Sequence, residues 1–443
     1  MQRRCRACLI GLIPPSACRH AGRGNQMHDR VHTSKPLTGE LPQEGSGRDP
    51  RIDACCGVAL WWIFLDHIPN NVGGWGFCDA AEVFVFISGV TCALAYGKAR
   101  RCEGWSGVIR RSLRRGWDIY AAFLMLTLAC AILVYLTGSD QLADESNTRV
   151  LFEHPGAAFA HAAILQYRPL NTDILPMFVV YHVLFGPVLW LLLRLPNVTL
   201  GASLLLYTLV HVFGWTVPAW PNNVWFFNPM AWQLLIVLGA WWVVGGMRLP
   251  SWAISRTALV LAILYLAFSL IIALSWSIKS LESLVPLTSL LFPIDKSNLS
   301  PLRVLHYLAL VILAVRFWPH TWRGIMTPVI RGAARCGENS LPIYCLGVLL
   351  ALASHVALLD ISDRIPMQIA LSVGGVLMMI VAATFLNSIR IKPKRQTHHD
   401  EALAHGDFTH QAERPCWMPI DLISNSPSSP FRMTRSCREP VGG

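Results

Sequence analysis

The sequence predicts an all-α integral membrane protein, a polytopic bundle of about ten transmembrane helices with both termini inside and disordered ends. Three observations predict it. Of 443 residues, 53% are hydrophobic and only 14% are charged, where a soluble domain carries roughly 25%. Apolar runs of membrane length recur along the chain. The basic residues sit in short loops between those runs, the pattern of cytoplasmic membrane loops. The same placement argues against nucleic-acid binding, although the net charge is +11.

The elements follow in order. Residues 1–47 are polar, basic and rich in Gly and Pro, and their one apolar piece stops at Pro14-Pro15. They are read as a disordered extension, with the membrane domain over 48–392 and a disordered cytoplasmic tail over 393–443. Ten candidate spans lie near 53–69, 79–97, 118–137, 174–194, 198–217, 229–247, 257–277, 303–318, 341–360 and 366–389. The loop after the second span holds Lys98, Arg100, Arg101, Arg110, Arg111, Arg114 and Arg115 against Glu103 alone, and is expected to be cytoplasmic. Arg194, Arg248 with Arg256, Arg331 with Arg335, and Lys392 with Lys394 fall on that side as well. The loop 138–173 carries Asp140, Asp144, Glu145 and Glu153 and is expected outside.

The first span begins with Asp53 and ends in Asp66-His67. Ionisable groups in an apolar helix are costly and are usually kept for function. Cys56 and His67 share a face about 16 Å apart along the axis. A neutral imidazole takes a proton from a hydroxyl near pH 7, so His67 is a candidate base; the other reading is a hydrogen bond to a neighbouring helix. The second span offers Glu82 at its outer end, then Ser88-Gly89, which also reads as a small-residue contact between helices. His182 and His211 read as helix contacts. The scattered Cys do not have metal spacing, and no metal site is expected. The aromatic loop 218–229 reads as an interfacial belt, with a glycan-facing surface as the minority reading.

Asp53-x-x-Cys56-Gly57, His67 eleven residues after Cys56, and Phe84-Val-Phe-Ile-Ser88-Gly89 in the next span resemble the membrane acyltransferase family 3. More specifically, the chain resembles its OpgC branch. The supporting segments are Phe64-Leu-Asp-His67, Glu82 to Gly89, Gln166 to Pro176, Asn228 to Gln233, Asp295-Lys296 with Arg303-x-x-His306, and Ser340-Leu-Pro342. The resemblance spans roughly 48–392 and implies O-acylation, typically succinylation, of osmoregulated periplasmic glucans in the bacterial inner membrane. It implies acyl-CoA, typically succinyl-CoA, as co-substrate, with no bound cofactor. His67, Asp66 and Asp53 are then the catalytic candidates. Glu82, Ser88, Arg168, Asp173, Asn228, Arg303 and His306 are the substrate-binding candidates. The family's arginine falls at Cys56 here, and Arg51 lies about 140° round the helix from it. A secondary transporter and a catalytically impaired relative are the rival readings.

Overall fold

The computed structural model describes residues 49–69, 76–246, 251–278, 287–291, 293–317 and 327–404. The predicted N-terminal extension and the tail beyond 404 lie outside the described residues. Asp49 caps the first helix, α1 (Pro50–Asp66), accepting from the Arg51 backbone N–H, and proline stands in its first turn. The second, α2 (Ala80–Thr137), is 58 residues long. It takes in both the second and third predicted spans and the basic stretch between them. Arginine, leucine and alanine are good helix formers; charge makes a segment leave the membrane without making it a loop. The interruption within α2 is Gly104, whose φ of 71° belongs to the left-handed region.

The predicted outer loop 138–173 contains three short helices: α3 (Asp140–Glu145), α4 (Arg149–Glu153) and α5 (Pro155–Ala163). Then come α6 (Ile174–Arg194) and α7 (Pro196–Phe213), a two-residue antiparallel ladder of β1 (Pro218–Ala219) and β2 (Asn223–Val224), and α8 (Pro229–Val244). The rest is helical: α9 (Arg256–Ser277), α10 (Leu287–Leu291), α11 (Pro301–Phe317), α12 (Pro328–Glu338), α13 (Ser340–Asp360) and α14 (Ile365–Ala404). The last runs on past the predicted domain boundary at 392.

Among the described residues, six helices are long and apolar enough to cross a membrane: α2, α6, α7, α9, α13 and α14. The chain is thus an all-α, multi-pass membrane protein. The predicted spans near 53–69, 229–247 and 303–318 are the shorter helices α1, α8 and α11, of 17, 16 and 17 residues.

Within a bilayer, packing and small residues do what the hydrophobic effect does in water. Helix α1 lies against α12, and α2 against α8 and α6. At the first of these contacts a Cβ on Gly57 would stand 1.8 Å from the Ala333 carbonyl oxygen, and one on Gly337 would stand 1.9 Å from that of Asp53. At the second, Gly89 and Gly239 play the same parts against the carbonyls of Ile236 and Phe86. Only glycine permits such backbone contact, which accounts for the Ser88-Gly89 pair as a packing feature. Fully buried Trp232, Phe64, Phe123, Phe185 and Leu235 fill the space between helices.

Candidate functional site

The polar residues gather where α1 ends and α2 begins. His67 is the C-cap of α1, its backbone N–H bonded to the Ile63 and Phe64 carbonyls. Its imidazole Nδ1 is buried with no hydrogen-bond partner among the described residues. His67 and Asp66 line a cavity of about 340 Å³, together with Ser146, Asn171 and His355 and an apolar wall that includes Leu170 and Leu352. That volume falls at the small end of ligand pockets, which run ~300–1,000 Å³.

Beside it, the start of α2 carries a capping box. Asp79 accepts from the Ala81 N–H at 2.9 Å, and Glu82 Oε2 accepts from the Asp79 N–H at 3.1 Å. Both carboxylates turn their remaining oxygens to one guanidinium. Arg303 Nε donates to Glu82 Oε1 at 2.6 Å, and its Nη2 donates to Asp79 Oδ2 at 2.9 Å. Lys296 Nζ lies 2.6 Å from the same Asp79 oxygen. Glu82 is 0% and Arg303 7% exposed. A buried and a partly buried carboxylate are thus met by two cations, the arrangement under which buried charge is tolerated. His306, one turn beyond Arg303 on α11, has Nδ1 2.8 Å from Cys78 Sγ. Asp66 and His67 lie within electrostatic reach of Asp79 and Lys296, and Asp66 within that of Arg303 as well.

Residues of the segment 138–173 and the turn after it close this end of the bundle. Arg168 Nε donates to Asp173 Oδ1 at 2.8 Å, Nη2 reaches the Val224 carbonyl at 3.3 Å, and the guanidinium covers the Trp225 ring at 5.4 Å. Burial pushes the Asp173 carboxyl above its ordinary value, and Arg168 pulls against that shift. Tyr344 donates to the Asn171 carbonyl at 2.6 Å and fixes α13 to the cavity-lining turn. The rings of loop 218–229 are mostly spent internally: Trp220 stacks on His161, and Phe227 meets Trp232 edge-on.

The structure therefore brings together Asp66, His67, Glu82, Arg303 and His306, with Arg168 and Asp173 forming a separate ion pair. It does not bring Asp53 or Ser88 to them. Asp53 lies in the first turn of α1, about 21 Å from His67 along the helix, buried where α1 meets α12. The Ser88 hydroxyl donates to the Phe84 carbonyl of its own helix. Asn228 is the N-cap of α8 and also donates to the Trp215 carbonyl and Asn298, which makes it a tie between loops. Arg51 is held by Asp49 at 2.6 Å, and Cys56 is buried. His182 faces Tyr96 in the α2–α6 contact, and His211 bonds the Tyr207 carbonyl.

Sequence reasoning missed Asp79 and the pair of His355 with Glu145. The spacing Asp79-Ala-Ala-Glu82 ahead of an apolar run is a capping-box signature and carried the first. An imidazole inside an apolar helix signalled the second.

A family model described as OpgC protein matches residues 48–391. No curated protein and no solved structure matches the chain.

Proposed function

Because the chain belongs to the OpgC family, we propose that it is a membrane O-acyltransferase, moving an acyl group, succinyl by preference, from cytosolic acyl-CoA to a hydroxyl of a periplasmic glucan. One observation carries the reading: an imidazole at the end of the first helix opens onto a ligand-sized cavity beside a charge cluster held by Arg303. In this reading the cavity takes the acceptor sugar. Ser146, Asn171 and Asp66 offer hydroxyl, amide and carboxylate groups to its hydroxyls.

His67 handles the transfer, either taking the proton of the attacking hydroxyl or first carrying the acyl group itself. The cations Lys296 and Arg303 supply a positive field toward the oxyanion of the tetrahedral intermediate and toward the free carboxylate of a succinyl donor. At the far end of the first part of α2, Arg100, Arg101, Arg114 and Arg115 attract the phosphates of the donor. Arg111 and Arg110 both bond Glu103 there. The residues between Asp79 and Gly104 separate the two ends by about 37 Å of helix, so the acyl group must cross the bundle between them.

The test is the ester content of periplasmic glucans, read by mass spectrometry in a deletion strain complemented with His67→Ala. Esters should fall by about 10²–10⁴-fold while the protein stays in the membrane in wild-type amount. Esters at the wild-type level would remove His67 from the mechanism, and loss of the glucan itself would point to export.

A further inference from the structure

The cavity that holds His67 holds a second imidazole. His355, on α13, turns Nε2 to Glu145 Oε2 at 2.9 Å. The other oxygen of Glu145 accepts from Gln141 Nε2 at 2.9 Å, so the carboxylate is itself held in place. Glu145 ends α3, and the turn that follows is tied down at several points. Leu170 N–H donates to the Ser146 carbonyl, and Asn147 Nδ2 donates to the Arg168 carbonyl. The pair is therefore assembled from α13 and a pinned outer loop far from it in sequence.

The two imidazoles differ in one respect that chemistry reads directly. His67 Nδ1 is buried without a partner among the described residues, and His67 has no carboxylate within ion-pair distance among them. His355 has that carboxylate. With Nε2 2.9 Å from that carboxylate, its Nδ1 has no protein hydrogen-bond partner among the described residues, and the residue lines the cavity. A carboxylate behind an imidazole fixes the tautomer and stabilises the imidazolium that forms when the ring takes a proton. An imidazole with no such support stays neutral, which suits a nucleophile.

Resting on the acyltransferase reading, we propose that His355, oriented by Glu145, is the base that takes the proton of the acceptor hydroxyl, leaving His67 to carry the acyl group. In the first step a His67 nitrogen forms a bond to the thioester carbonyl carbon. The carbon–sulfur bond breaks, and the thiol leaves as a thiolate that takes up the imidazole's proton. In the second, the sugar oxygen forms the ester bond as its proton passes to His355. The carbon–nitrogen bond to His67 breaks, and the proton on His355 passes to the departing His67 nitrogen, which restores both neutral rings.

The experiment uses the full chain in membranes, succinyl-CoA labelled in the succinyl group, and glucan from a strain lacking the transferase. Label is read separately on protein and on glucan. Wild-type protein should pass label to glucan. His355→Gln should hold hydroxylamine-labile label on the protein while glucan labelling falls by about 10²–10⁴-fold, and His67→Ala should label neither. Glu145→Gln should slow the second step alone, and Glu145→Asp should restore part of it. Wild-type transfer to glucan by His355→Gln would overturn the proposal and leave the acyltransferase reading intact. So would His355→Gln protein that carries no label while Glu145→Gln transfers normally. A wild-type protein that labels no glucan would instead refute the acyltransferase reading.

Discussion

At its Asp53 end, α1 meets α12 backbone against backbone: Gly57 and Gly337 remove the Cβ atoms that would strike the Ala333 and Asp53 carbonyls. At its His67 end, the same helix opens onto a cavity and faces carboxylates and cations instead. Both ends carry an ionisable residue, and from sequence they look alike. The first end is close-packed, backbone on backbone. The second has polar groups with capacity to spare, such as the Nδ1 of His67, unpartnered among the described residues. An aspartate or histidine in an apolar helix marks a place worth examining; the space beside it decides what the residue does.

That contrast can be broken or sharpened by substitution. The largest loss of stability is expected for Arg303→Ala, which strands Glu82 and Asp79 without their guanidinium. Removing one partner of a buried ion pair costs about 3–5 kcal/mol, read as loss of monodisperse protein in detergent or a lowered melting temperature. Pairing it with Glu82→Gln should recover part of that loss; no recovery would mean that the two side chains are not coupled. Gly57→Ala comes next. Its Cβ meets backbone rather than a movable side chain, so α1 and α12 must part, at about 1–3 kcal/mol by the usual cost of overpacking. The smallest effect on chemistry is expected for Asp53→Asn: ester formation per folded molecule should change less than about threefold, well under the 10²-fold typical of a lost acid–base group. A deep loss of transfer with undiminished folded protein would give the Asp53 end a chemical role and erase the distinction.

Much of the helical architecture was legible because apolar length is a strong signal. Charge marked the connections between apolar runs but not their structure, since Arg110, Arg111, Arg114 and Arg115 continue α2, Arg331 and Arg335 lie in α12, and Lys392 and Lys394 continue α14. Several members of the polar cluster were legible for the same reason that they are rare: Glu82, Arg303 and His67 interrupt apolar runs. Their partners were harder to see. Lys296 and Glu145 lie in polar stretches between apolar runs, where a charge is ordinary, and their value comes from Asp79 and His355, which the fold brings from distant parts of the chain. Ser88 and Asn228 drew attention as polar groups at membrane depth, yet local backbone bonding accounts for their hydroxyl and amide. Sequence spacing does not distinguish a side chain satisfied by its own helix or loop from one held ready for a ligand.

The bridge from Arg303 to Glu82 spans 221 residues, and this has a consequence for how the protein is made. Translation delivers α1 and α2 to the membrane long before residue 303 exists, so Glu82 enters without its cation. The first helical pair is thus a provisional assembly, and the arrival of α11 completes it. A chain truncated ahead of Arg303 is expected to insert its early helices yet remain a substrate for membrane quality control. The buried ion pair acts as a late check that the carboxy-terminal half has been built.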